Sequence, residues 1–218
     1  MSKPSEKSSA DVGPHSWFHR WLLLPFSRFL GFFLFLILGP IRSYGKGRIP
    51  REGGLLILSN HLADVDPVVV QLACNRPIHF MAKSELFEIP VLKSLIRAYG
   101  AFPVKRGEPD RASIRRAVQL LKMGEVVCVF PEGQLSESGE LQELKPGIAL
   151  LARMAACNVI CCRLENTNRI MPYGSLIPRP TFRLTKATWS EPTLFGEEAT
   201  PETIVAWAEN QLAKDPAS

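Results

Sequence analysis

His61 and Asp66 lie five residues apart in the run Ser59-Asn60-His61-Leu62-Ala63-Asp64-Val65-Asp66-Pro67. An imidazole exchanges a proton near neutral pH. A nearby carboxylate fixes its tautomer and stabilises the imidazolium that forms when the ring acts as a base. In one continuous helix, residues five apart point about 140° away from each other. Pairing therefore needs a bend, and the flanks supply one. Leu55-Leu56-Ile57-Leu58 ahead reads as a buried strand. Pro67-Val68-Val69-Val70 behind reads as a helix, with Asp66 as N-cap and Pro67 at its first position. Turns at strand ends of open α/β sheets are where ligands collect. Asp64, three residues from His61, is the rival carboxylate and suits a helix already begun at His61. In the plainer alternative Asp66 only caps a helix and His61 lies on the surface. These positions alone leave both readings open.

A second group follows. Phe130-Pro131-Glu132-Gly133 ends another buried run, Val126–Phe130. Glu132 would project at the strand end, where a carboxylate accepts hydrogen bonds from hydroxyls. Gly133 permits a turn or a close approach of backbone to ligand. Alone, Pro-Glu-Gly reads as a turn. Lys105 and Arg106 follow the short strand Ala101–Val104. The planar fork of arginine suits phosphate, although an isolated Lys-Arg pair is more often a solvated turn.

The elements that must position these groups alternate. Strands are expected at Gly54–Ser59, Ile78–Ala82, Ala101–Val104, Val126–Phe130, Val159–Cys162 and Thr181–Thr188. Helices are expected at Pro67–Cys74, Ile89–Tyr99, Asp110–Met123, Pro146–Ala156 and Thr200–Lys214. The third helix has Asp110 as N-cap, Ile114, Val118 and Leu121 on its apolar face, and Gly124 after its end. Alternating strands and helices give an α/β sandwich with a largely parallel central sheet. One domain suits 218 residues.

The N-terminal part is different. Residues 1–15 are polar and read as a disordered tail. Residues 16–44 are expected to form a membrane-anchoring helical segment, and residues 45–218 the catalytic domain. Five of the 12 phenylalanines fall between Phe26 and Phe35. The uninterrupted apolar run Phe29–Ile41 makes about 20 Å of helix, short of a bilayer core of about 30 Å. Trp17, Arg20, Trp21 and Arg28 suit an interface. The expectation is one or two short helices lying in one leaflet, rather than a tilted span, a buried helix or a cleavable signal. Arg42, Lys46, Arg48 and Arg51 would then meet headgroup phosphates. The net charge of +5 and pI of about 9.1 favour acidic partners, and no nucleic-acid-binding signature is present. Five cysteines without a Cys-x-x-Cys pair suggest buried thiols in a reducing compartment. No metal site is expected.

The order of the motifs carries more than each motif does. Asn60-His61-x-x-x-x-Asp66, then Phe102-Pro-Val-Lys-Arg106, then Phe130-Pro-Glu-Gly133, after an apolar N-terminal segment, resembles the glycerolipid acyltransferase family over residues 40 to 195. The resemblance implies a membrane-associated enzyme that moves a fatty acyl group from acyl-CoA or acyl carrier protein to a lysophospholipid hydroxyl. The acceptor it implies first is 1-acylglycerol 3-phosphate. By the same resemblance His61 is the catalytic base and Asp66 its orienting partner. Arg106 and Lys105 bind the acceptor phosphate. Glu132 and Gly133 shape the acceptor site, and Lys145 opens the stretch leading into the next helix. No cofactor is implied, and the location implied is a monotopic site on the membrane, facing the cytoplasm. Two departures stand out. The family usually continues Phe-Pro-Glu-Gly with Thr-Arg-Ser, whereas this chain has Gln134-Leu135-Ser136. A Val-Pro-Val-like run is replaced by Val159-Ile160-Cys161-Cys162. Phe-Pro-Glu-Gly-Gln resembles instead 2-acylglycerophosphoethanolamine acyltransferase-type domains. Oxyanion donors are expected among backbone amides at the helix start or the Gly133 turn. The rival classes are a serine hydrolase using Ser59 or Ser136 and a non-catalytic membrane-surface lipid binder. No Gly-x-Ser-x-Gly elbow supports the hydrolase.

Overall fold

The computed structural model describes residues 14–105, 110–175 and 177–213. Seven strands form one sheet: β1 (Ile41–Tyr44), β2 (Leu55–Ser59), β3 (Ile78–Lys83), β4 (Phe102–Val104), β5 (Val126–Val129), β6 (Asn158–Glu165) and β7 (Thr185–Trp189). Their order is β1-β7-β6-β2-β5-β3-β4. Every neighbouring pair is parallel except β6 and β7. The largely parallel α/β sheet read from the sequence is therefore present.

All five residues of β2 are buried, because helices cover both faces of the sheet. Leu55 and Ile57 face one core, shared with α1 (Leu24–Leu38) and α2 (Asp66–Ala73). Leu56 and Leu58 face the other, shared with α4 (Arg111–Lys122), α5 (Gly147–Ala155) and α7 (Pro201–Ala213). Each such side chain contributes about 1.5–3 kcal/mol by leaving water. The α4 start is as read: the Asp110 carboxylate accepts the amides of Ala112 and Ser113. Two further helices, α3 (Pro90–Ala98) and α6 (Thr167–Ile170), complete the set among the described residues.

Three expectations need correction. The N-terminal helix stops at Leu38, not 44. Pro40 lacks the N–H that a helix needs, and Ile41–Tyr44 instead pairs in parallel with β7 as an edge strand. Asp66 is not an N-cap but the first residue of α2, preceded by Val65. His15, assigned to a disordered tail, is buried against the domain; the tail's residues 1–13 lie outside the described residues. A π-helical turn, His19–Leu23, runs into α1, giving a continuous apolar helix His19–Leu38.

Candidate active site

The chain leaves the end of β2 at Ser59 and turns before α2, as the His61–Asp66 spacing requires. Asp66 Oδ2 accepts the His61 Nδ1 proton at 3.0 Å and the amides of Leu62 and Ala63 at 2.6 and 2.8 Å. The carboxylate therefore faces back along its own chain and closes the loop around itself. Asp66 is fully buried at the start of α2, where the helix dipole favours its charge. Asp64, the rival carboxylate, points to solvent. With Nδ1 donating to Asp66, the lone pair of His61 lies on Nε2. The ring is held flat against Phe130, with centroids 4.0 Å apart and planes inclined at 18°.

Glu132 joins this loop to the turn after β5. Its Oε1 accepts the His61 amide at 2.7 Å, and its Oε2 accepts the Gln142 amide at 3.0 Å. The expectation that this carboxylate takes substrate hydroxyls meets a different arrangement: both oxygens serve backbone amides. Burial raises the Glu132 carboxyl above its ordinary value, opposed by those two amides. Gly133 has φ +74°, a left-handed turn conformation that favours glycine. The Lys145 amide closes the turn onto the Pro131 carbonyl at 2.9 Å. The exposed Lys145 side chain passes beside Gly133, its Cγ 3.8 Å from where a Cβ would stand.

Lys105 is exposed just after β4, on the same strand-end edge. β4 is three strands from β2, so Lys105 stands roughly 14 Å along the edge from His61. Arg106 lies outside the described residues.

Two further residues of the quoted motifs also shape the site, in roles the motifs did not specify. Asn60 bridges to β6, donating to the Leu164 carbonyl at 3.0 Å and accepting its amide at 2.7 Å. Phe130 backs the imidazole, and its place directly before Pro-Glu-Gly was the available signal. The serines of the hydrolase alternative face elsewhere. Ser136 Oγ donates to the Glu140 carbonyl at 2.6 Å, and Ser59 Oγ to the Asn60 carbonyl at 3.3 Å. A cavity of about 420 Å³ opens beside the loop, lined among others by Asn60, Leu62, Glu140, Arg163 and Arg169. All five cysteines are free; burial pushes the Cys157 thiol up to about 11 and Cys161 higher still.

A base with an oriented ring and an Nε2 that no described residue engages can deprotonate a hydroxyl without a covalent intermediate. Residues 40–165 match the family model for acyltransferases. A 1-acyl-sn-glycerol-3-phosphate acyltransferase of Bacillus subtilis is 33% identical over 123 residues, covering 56% of this chain and 61% of that protein. A chloroplastic enzyme of the same description from Arabidopsis thaliana is 32% identical over 120 residues, covering 54% and 33%. A lysophospholipid acyltransferase of Mus musculus is 33% identical over 123 residues, covering 52% and 23%. The match thus spans less than two thirds of each relative's own length. The crystal structure of the 1-acyl-sn-glycerophosphate acyltransferase PlsC from Thermotoga maritima superposes with a TM-score of 0.75 at 22% identity, covering 88% of this chain and 78% of that one. It has the same fold.

Proposed function

The chain belongs to the acyltransferase family, and from that premise we propose that it transfers a fatty acyl group from an acyl thioester to the free hydroxyl of 1-acylglycerol 3-phosphate, yielding phosphatidic acid. The observation that carries this reading is the His61 ring, fixed by Asp66 and Phe130 with Nε2 engaged by no described residue. Nε2 removes the hydroxyl proton as the glycerol oxygen attacks the thioester carbonyl. The tetrahedral intermediate collapses with loss of the C–S bond, and the departing thiolate takes the proton back from the imidazolium. The Leu62 and Ala63 amides are occupied by Asp66, so the oxyanion's donors fall to the turn after Gly133. Lys105 and Arg106 take the acceptor phosphate, with Lys145 beside the turn. The donor is acyl-CoA or acyl carrier protein; no cofactor takes part.

The helix His19–Leu38 supports a membrane-bound, monotopic placement. At 1.5 Å per residue, its 20 residues reach about 30 Å, the thickness of a bilayer core. Yet its buried residues run from His19 through Leu24, Gly31 and Phe35 to Leu38. One side is therefore docked on the domain along its whole length, which suits a helix lying in one leaflet. Trp21, Phe26, Phe29, Phe32 and Ile37 are each at least 60% exposed on the remaining faces. Five free thiols suit a site facing the cytoplasm. A second acceptor, 2-acylglycerophosphoethanolamine, is favoured by one observation: Gln134-Leu135 stands where the family's Thr-Arg is usual.

The test is a product assay by mass spectrometry. The full chain in vesicles is offered a panel of lysolipids with each acyl carrier. Phosphatidic acid from 1-acylglycerol 3-phosphate, lost in His61→Ala, is expected. Acylation of the ethanolamine lysolipid alone would overturn the acceptor. Undiminished transfer by His61→Ala would overturn the mechanism. In the same assay Arg106→Ala should raise the KM for the acceptor more than for the thioester.

A further inference from the structure

His79 lies near the start of β3 and Glu125 directly before β5. Both are at the edge of the sheet opposite the strand ends that carry His61 and Glu132. His15 and His19, from the segment leading into α1, fold onto them. Exposure of the four residues is 8%, 4%, 0% and 4% for His15, His19, His79 and Glu125. The His15 ring stacks on His79 with centroids 3.8 Å apart and lies 3.9 Å from that of His19.

Each ring is fixed through the backbone. His79 Nδ1 bonds the Gly100 carbonyl at 2.8 Å, and His19 Nδ1 the Ala98 carbonyl at 2.7 Å. The His15 ring bonds the backbone of Ile78. The Nε2 atoms of all three are buried without a hydrogen-bond partner. A single orphaned buried nitrogen is uncommon; three in one cluster ask for a shared partner. A doubly protonated His79 facing Glu125 would account for one of them and leave the other two.

We propose that this cluster binds one divalent transition-metal cation of the zinc class, through His15, His79 and Glu125, with His19 alongside. One ligand atom from each of the three residues lies within 4.8 Å of the others, and His79 Nε2 is 3.6 Å from Glu125 Oε2. Two ligands about 2.1 Å from a tetrahedral ion stand roughly 3.4 Å apart. The His79–Glu125 pair already has nearly that spacing, and both separations to His15 lie within 4.8 Å, so ring movement of at most about 1.4 Å closes them. Two imidazoles and a carboxylate suit zinc, with a fourth position left for His19 or water. The outer contacts are those that metal-binding histidines require: backbone carbonyls on the far ring nitrogens. Arg20 holds the other Glu125 oxygen. Gly100 seats the rings. At φ +74° it presents no Cβ, and one placed there would stand 2.3 Å from His15 Cε1 and 2.8 Å from His79 Nδ1. The ion would tie the start of the apolar helix to the sheet, far from the His61 chemistry.

The test uses the purified full chain, stripped with a chelator and titrated with Co²⁺. A single cobalt ion with the visible absorption of a tetrahedral nitrogen- and oxygen-coordinated site is expected. Zinc should displace it and raise the melting temperature. His15→Ala should weaken cobalt binding by at least about 100-fold, whereas His61→Ala should leave the spectrum unchanged. A wild-type spectrum no different from that of the free ion overturns the proposal, and needs no variant to fold. Equal affinity in folded His15→Ala overturns it as well.

Discussion

Glu132 Oε1 accepts the backbone amide of His61 at 2.7 Å, across 71 residues of sequence. The carboxylate in the Pro-Glu-Gly turn thus holds the main chain of the base. Its second oxygen holds Gln142 at 3.0 Å, and the Ser136 amide returns to the His61 carbonyl at 2.8 Å. The β2–α2 loop and the turn after β5 are one hydrogen-bonded unit. A change at Glu132 therefore moves the imidazole without touching it.

That coupling has a pH signature. Burial raises the Glu132 carboxyl above its ordinary 4.5. The folded state thus holds this proton more tightly than the unfolded chain does. The resulting stabilisation is complete below about 4.5 and is lost as pH rises through the raised value. Glu132→Gln removes this titration and turns one acceptor into a donor facing an amide. Urea denaturation of the two proteins should show the wild type gaining on the variant as pH falls from neutral toward 4.5. A widening gap in the other direction would count against the burial argument. At neutral pH the variant should be less stable by about 1–3 kcal/mol, from one buried amide left unpaired.

Asn60 makes a separate prediction. Its amide group stands in for a peptide, pairing with both backbone groups of Leu164 beyond the end of β2. Asn60→Ala strands two buried polar groups, at about 1–3 kcal/mol each. Asn60→Asp keeps the acceptor for the Leu164 amide but sets a carboxylate against its carbonyl. Both variants should melt earlier than wild type, and wild-type melting in Asn60→Ala would refute a role for the amide pair. Differential scanning calorimetry reads this directly.

The outward faces of His19–Leu38 carry the membrane reading. Phe29→Ser together with Phe32→Ser and Ile37→Ser alters only exposed positions. Each change removes roughly 1.5–3 kcal/mol of transfer free energy. Flotation with anionic vesicles should shift from bound to soluble, while circular dichroism and melting temperature stay near wild type. Unaltered flotation would leave the helix as a packing element only.

How much of this was legible follows physical rules. β2 and β5 were readable because strands buried on both faces become unbroken apolar runs. α4 was readable from Asp110 and its apolar spacing. β1 was hidden because Ile41–Tyr44 continues the apolar and basic character of the helix before it; Gly39-Pro40 was the signal that the helix had ended. The bend joining His61 to Asp66 could be inferred from their angular separation. The direction of the Asp66 carboxylate could not, since it answers amides behind it rather than ahead. Glu132 was legible as the residue at the strand-end turn but not as a holder of the His61 backbone, because that contact depends on β2 and β5 being neighbours. His79 and Glu125 share no spacing and meet only through the parallel register of β3 and β5, and His15 reaches them from the segment leading into α1.

The Asp66 carboxylate separates orientation from charge. Its Oδ2 takes three donors at once: His61 Nδ1, Leu62 N and Ala63 N. Asn at this position keeps the size and one acceptor oxygen but loses the charge that stabilises the imidazolium. If its oxygen serves the two amides, it can still accept from Nδ1, so the neutral ring keeps its tautomer and the acceptor still binds. What is lost appears only when His61 carries the proton. Asp66→Asn should therefore lower kcat by about 10²–10⁴-fold, with the KM for the lysolipid nearly unchanged. Asp66→Ala should lower both kcat and stability, because the Leu62 and Ala63 amides are left buried and unpaired. A control at Asp64, which points to solvent, should behave as wild type. Full turnover in Asp66→Asn would mean that the carboxylate merely shapes the loop, and the base would then have to work without it.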